Sequence, residues 1–388
     1  MRLECPSCRS ELEVPEALMG RGVDCPVCKT RFVCTRKGSS GGSDAVPSAV
    51  GVARLGRFRW GEFASEIFKR HSGAEVERYF MVGTESTTPD IFGVKIAWPK
   101  PWMFARLLVV AVGLYWGMVW LWDFWSHNGA YGILEIPNIL MVGSLAVPLA
   151  AAILFFEMNI RQNVSLYQVL RLVFIGGVLS IVITDFLNLL RPTLINTFGI
   201  PEEWHSAIAG PLEETAKLLT VIFLVRGVKY RYTLNGLLFG AAVGVGFAVF
   251  ESAGYAFRCF LVNLKAVSPE GLTLAMTKMR DVIFLRGILS PIGHVAYSAI
   301  AVGALWRVKG GDPFAWSLFG RFRFLFLFSC AVALHAFWNS PLLGDGPGLP
   351  YAKIAIVAVV SWTLIRWLVQ DGIKQIQREQ ESIVECDA

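Results

Sequence analysis

Long apolar runs, broken by short polar segments, occupy the chain from position 103 onward. Eight of them approach the roughly 20 residues needed to cross a bilayer as helix. They fall at 103–122, 139–157, 169–190, 205–225, 234–257, 287–306, 323–342 and 351–369. The pattern predicts an all-α polytopic membrane domain over 101–370 with about eight transmembrane helices, followed by a tail at 371–388. Before it, residues 37–100 read as linker and juxtamembrane segment, flexible at Gly38-Ser39-Ser40-Gly41-Gly42-Ser43. A short amphipathic helix is expected near 60–70, lying on the membrane.

Several of these apolar runs are interrupted by ionisable side chains. Glu213, Glu214 and Lys217 share the fourth run, Glu251 lies in the fifth and His294 in the sixth, while the seventh holds His335 and Asn339. A charge held in hydrocarbon costs at least a few kcal/mol, so four segments carrying such groups suggest one assembled polar site. At 1.5 Å per residue, Glu213, Glu214, Glu251, His294 and His335 fall about 9–14 Å from the outer ends of their helices, and Asn339 about 5 Å. Facing agrees with depth. Glu213, Lys217 and Glu214 span an arc of roughly 100°. Gly236, Gly240, Gly244, Phe247 and Glu251 make one stripe, whose small residues permit close helix approach. Gly287, Ser290, His294 and Ser298 make another.

Hydrolysis is the chemistry these groups offer. A carboxylate in an apolar cavity suits a general base near neutral pH, so Glu213 or Glu214 is placed to take a proton from water. Lys217 is placed to orient its neighbour, and His294, with His335 or Asn339, to donate to an oxyanion. Two His and a Glu also compose a hydrolytic metal site, although no HExxH motif is present. Two rival readings use the same residues: a proton-coupled membrane transporter, and a non-catalytic receptor or scaffold. His71, His127 and His205 read as bystanders, with His71 on the surface.

Composition sharpens this picture at the N-terminus. The chain of 388 residues is 54% hydrophobic and 17% charged, below the quarter usual for soluble proteins. Met1 to Gly20 lacks the apolar core of a secretory signal. Cys5-Pro-Ser-Cys8 and Cys25-Pro-Val-Cys28 are spaced to close a four-thiolate zinc site, predicting a zinc ribbon over 1–36. Four thiolates leave no open coordination position, so this zinc is structural. Cys34, Cys259, Cys330 and Cys386 read as unpaired thiols. The ribbon is expected to dock a cytoplasmic protein partner or regulate the membrane domain; no strong basic patch speaks for nucleic acid.

Loop charge supplies topology. Lys and Arg concentrate at 158–171, 226–233 and 307–323, and 123–138 and 343–350 have none, which predicts cytoplasmic termini and an inner-membrane location. The stretch 258–286, with five basic residues, breaks the pattern as an outer loop or re-entrant segment.

Four segments in order resemble motifs of the PrsW family of intramembrane proteases, relatives of the CAAX-processing and bacteriocin-immunity membrane proteases. Gly210-Pro211-Leu212-Glu213-Glu214-Thr215-Ala216-Lys217 is similar to its EExxK motif, and Gly244 through Phe247 and Glu251 to its glycine-rich FxxxE segment. Arg286 through Ser290-Pro291-Ile292-Gly293-His294 and Leu334-His335-Ala336-Phe337-Trp338-Asn339 resemble the third and fourth. The resemblance implies an endopeptidase with Glu213, Glu214 and His294 at its catalytic core. It also implies a membrane-anchored protein substrate, such as an anti-sigma factor or similar regulator. Ser252 stands where family members usually have Asn.

Overall fold

A computed structural model describes residues 53–127, 135–225, 229–264, 268–343 and 349–387, with Pro26 and four short strands near the N-terminus. The chain divides into two compact units, 55–375 and a smaller one of 1–54 with 376–388. In the smaller unit β1 (Arg2–Glu4) pairs antiparallel with β2 (Glu11–Glu13), and β3 (Gly22–Asp24) with β4 (Arg31–Val33). Cys5, Cys8, Cys25 and Cys28, and the linker through 52, lie outside the described residues.

The larger unit is helical. Its helices are α1 (Trp60–Phe63), α2 (Gly73–Phe80), α3 (Met103–His127), α4 (Glu135–Met158), α5 (Leu166–Arg171), α6 (Gly177–Asn188), α7 (Arg191–Phe198) and α8 (Ala209–Leu224). They continue with α9 (Thr233–Asn263), α10 (Pro269–Leu289), α11 (His294–Lys309), α12 (Phe322–Asn339) and α13 (Leu349–Asp387), whose residues from 376 on belong to the smaller unit. A π-helical turn, Leu172–Gly176, joins α5 to α6.

Among the described residues, seven helical stretches are long and apolar enough to cross a membrane, so the chain is a multi-pass membrane protein. The run at 205–225 is not among them. It becomes α8, whose 16 residues reach about 24 Å, after a 3-10 turn at Glu202–Ile208. Its three charges cannot face lipid, and Glu213, Glu214 and Lys217 are all buried inside the bundle. The expected loop at 258–286 is corrected too. Helix α9 runs on to Asn263, and Pro269 opens α10, which Ser268 caps by accepting from the Gly271 amide at 3.1 Å. The sixth run therefore divides, with Ser290–Gly293 breaking the helix and His294 opening α11.

Helix α9 is the most enclosed span and packs against α4, α6, α10 and α11. Its contact with α11 depends on the glycine stripe. A methyl on Gly244 would stand 2.5 Å from the His294 carbonyl oxygen, and one on Gly240 would collide with the Ser298 carbonyl. Any side chain there would push α11, and His294 with it, away from α9.

The juxtamembrane segment holds only α1 and α2 where a helix was expected over 60–70. It is tied to the bundle through Trp102. His71 stacks on that ring at 3.7 Å and is half-buried, correcting its assignment to the surface. Glu157, at the end of α4, accepts from the amides of Trp102 (2.8 Å), Met103 (2.9 Å) and Phe104 (2.9 Å), which start α3. A buried carboxylate there satisfies donors that a helix N-terminus leaves open.

Candidate active site

Four helices converge on one polar cluster. Helix α8 presents Glu213, Glu214 and Lys217 within one turn because they lie at i, i+1 and i+4. Helix α9 contributes Glu251 at the end of its glycine stripe. Helix α11 contributes His294 as its first residue, so the positive end of its dipole lies at the cluster. Helix α12 contributes His335, buried against Tyr297, and Asn339 at its last position.

Glu214 is the anchor. It is fully buried, and both its oxygens are engaged. Oε1 accepts from Lys217 Nζ at 2.7 Å and from His335 Nδ1 at 2.9 Å, and Oε2 accepts from Ser298 Oγ at 3.1 Å. Buried charge is tolerated here because it is paired and hydrogen-bonded on every side. Lys217 also donates to His294 Nδ1 at 3.0 Å and lies 4.0 Å above the Phe247 ring.

His294 is held from its other side. Its Nε2 lies 2.9 Å from Glu251 Oε2, and Glu251 forms a short ion pair with Arg286. Arg286 donates through Nε to Ser252 Oγ at 3.1 Å and packs over the Tyr255 ring at 4.4 Å. These partners fix the tautomers. Nδ1 of His335 and Nε2 of His294 carry protons and donate to carboxylates. His335 Nε2 and His294 Nδ1 are left with lone pairs.

Glu213 differs from its neighbour. Its Oε2 has no hydrogen-bond partner, yet lies 3.7 Å from His294 Nδ1, 3.7 Å from His335 Nε2 and 3.5 Å from Lys217 Nζ. Ligand atoms of Glu213, His294 and His335 all lie within 4.8 Å of one another. An orphaned carboxylate oxygen facing two imidazole lone pairs fits a divalent cation. Both histidines also have a carboxylate on the far ring nitrogen, the arrangement that orients metal-bound imidazoles. Lys217 shares His294 Nδ1, so a bound cation requires its ammonium to turn wholly to Glu214.

The cluster forms the floor of a cavity of about 670 Å³. Glu213, Glu251, His294, His335 and Asn339 line it. Glu214 and Lys217 do not; they stand behind. The structure thus brings all seven polar candidates into or against one site.

A sequence model described as the PrsW family intramembrane metalloprotease matches residues 165–365, just over half the chain and every one of these residues. The chain belongs to this family. It is therefore an intramembrane protease, and the family's description adds metal dependence, which the lack of HExxH had left with little support. Compared with curated proteins and with solved structures, the chain finds no match. Within this PrsW-family site, some participants had no assigned role from sequence. Arg286 opens the third motif segment and Ser298 shares the stripe of His294, neither with an evident partner in the sequence. Thr184, Asp185 and Asn188 of α6 line the cavity opposite the motifs. Their signal was present: polar side chains one turn apart inside a run otherwise apolar enough to span a membrane.

Proposed function

We propose that this cavity hydrolyses peptide bonds of a membrane-anchored protein, with Glu213, His294 and His335 as the reacting set. The observation that carries the reading is the Glu213 oxygen, without a hydrogen-bond partner, facing two imidazole nitrogens at the floor of a cavity of about 670 Å³. Glu213 lies 3.5 Å from the Lys217 ammonium, yet no group donates a hydrogen bond to that oxygen, whereas Lys217, His335 and Ser298 all donate to Glu214. These three residues would hold a divalent cation, which when bound supplies Lewis-acid polarisation and eases ionisation of a water.

The chain's own groups supply the rest. Glu213 faces the cavity and takes the proton of the attacking water. Glu214 and Glu251 hold His335 and His294 by their far nitrogens, so both rings keep one orientation. Lys217 balances the paired glutamates, which otherwise repel at this spacing. Asn339, at the cavity wall, is placed to donate to the oxygen of the peptide carbonyl as it gains charge.

Loop charges support an inner-membrane protein with both termini in the cytoplasm, which requires α8 to cross as an eighth pass beside the seven longer stretches, and a cut near the outer leaflet. The substrate class that the family resemblance supports is a single-span protein such as an anti-sigma factor or similar regulator. A zinc ribbon at the N-terminus is supported by the sequence, since each CxxC pair falls in the connection of one short hairpin. Its structural zinc would let so small a unit fold, and its place in the cytoplasm suits docking of a protein partner.

The test is comparative proteomics of membrane fractions from wild type and Glu213→Gln. Accumulation of an uncut single-span protein in the variant is the expected result. Identical profiles would sink the assignment.

A further inference from the structure

Helix α6 carries an unexpected polar face. Thr184, Asp185 and Asn188, with Arg191 at the start of α7, line the cavity above Glu213. The other side of α6 presents Val182 and Phe186, exposed and apolar, as a lipid-facing surface would be. Thr184 is only 6% exposed, and no protein group reaches its hydroxyl. Among the described residues Asn188 and Asp185 make no hydrogen bond or ion pair, and the buried Nε of Arg191 has no partner. Asp185 is exposed and Asn188 half-buried, but the Thr184 hydroxyl and the Arg191 Nε are buried without partners, which costs free energy, and more in a membrane helix. The partner they lack is therefore sought among what enters the cavity.

Peptide hydrolysis supplies one. A membrane-spanning substrate arrives as helix, with its backbone amides bonded internally. Cleavage requires a few residues to unwind, and each then exposes an N–H and a C=O that must find partners away from water. A threonine hydroxyl and an asparagine carboxamide each donate and accept. Four residues of α6 place them about 6 Å apart along the helix axis. Amide groups on one side of an extended chain recur about every 6.7 Å. The two spacings are close enough for Thr184 and Asn188 to bond successive backbone groups of one strand.

We infer that the polar face of α6, chiefly Thr184 and Asn188, is the wall that receives the unwound main chain of the substrate. This rests on the peptidase reading, and it makes these two residues positioning residues that select for segments able to unwind.

Binding tests it without requiring cleavage. The probes are two fluorescein-labelled 25-residue Leu/Ala peptides, one carrying Gly-Pro at its centre, added to detergent-solubilised Glu213→Gln protein and followed by anisotropy. The Gly-Pro peptide should bind more tightly. Two lost hydrogen bonds correspond to about a tenfold weakening, so Thr184→Val/Asn188→Leu should largely abolish that preference. Thr184→Ser should retain it, as should Val182→Ala/Phe186→Ala on the lipid side. Equal binding of both peptides, no binding of either, or an unchanged preference in the double variant whether or not its melting temperature falls, would each overturn the inference. The peptidase reading fails separately, when wild type and Glu213→Gln give identical membrane proteomes.

Discussion

Glu213 and Glu214 are adjacent on α8 and do opposite work: Glu214 is fully buried with both oxygens bonded, whereas Glu213 turns an unpartnered oxygen toward two histidines. One residue of helix rotation, about 100°, separates a structural carboxylate from one available for chemistry. Replacing each by Gln should therefore give different phenotypes. Glu213→Gln should leave thermal unfolding close to wild type while peptide cleavage falls by about 10²–10⁴-fold, the usual contribution of a positioned base. Glu214→Gln should take from Lys217 the nearer of its two carboxylates and break a buried hydrogen-bonded pair, lowering stability by about 3–5 kcal/mol. Paired melting curves and cleavage rates check this. Equal destabilisation by both would refute the division of labour.

Arg286 acts on the chemistry through two intermediates. It grips Glu251 and Ser252 together, and Glu251 holds His294. Lysine keeps the charge but cannot span both partners, since it lacks the planar fork. Arg286→Lys should lower kcat about 10–100-fold with KM nearly unchanged, the magnitude seen when an outer partner of a metal-oriented histidine is lost. Steady-state kinetics on a cleaved reporter decide it; a rise in KM alone would place Arg286 in substrate binding instead.

Much of this site was legible in the sequence because membrane segments make polar residues conspicuous. Against an apolar background, Glu213, Glu214, Lys217, Glu251, His294, His335 and Asn339 stood out, and helical spacing gave their shared faces. The glycine stripe of α9 was legible for the same reason. The division of roles between the two glutamates was not, because it depends on which side of α8 meets α11 and α12. Nor was the break at Ser290–Gly293: Pro291 and Gly293 mark it, but the run 287–306 around them is apolar and long enough to read as one span. Basic residues between 258 and 286 suggested a loop, yet α10 accommodates three of them by pairing. Arg280 contacts Asp123 at 3.4 Å, Arg286 contacts Glu251, and Lys278 contacts Asp281 at 3.9 Å.

Metal content offers a prediction that needs no substrate. Purified protein analysed by inductively coupled plasma mass spectrometry should hold divalent metal at two independent places. Glu213→Gln/His335→Ala should remove the membrane-site metal and leave the N-terminal zinc. Cys25→Ser/Cys28→Ser should do the converse. Glu251→Gln, which touches no proposed ligand atom, should weaken the membrane site about 10–100-fold by releasing His294. Full metal occupancy in the Glu213→Gln/His335→Ala protein would eliminate these residues as ligands.

The last prediction concerns distance transmitted through packing. Gly244 never touches the cavity, yet a methyl there would stand 2.5 Å from the His294 carbonyl. Relief requires α11 to move by something near an ångström, and misplacement of that order at a reacting group costs about 10²-fold in rate. Gly244→Ala should therefore impair cleavage strongly at modest cost in stability. Gly117→Ala, on α3 with open space around its Cα and away from the cavity, should do neither. Hydrogen–deuterium exchange should localise the disturbance to the start of α11. If Gly244→Ala cleaves like wild type, the close approach of α9 and α11 is not what sets His294 in place.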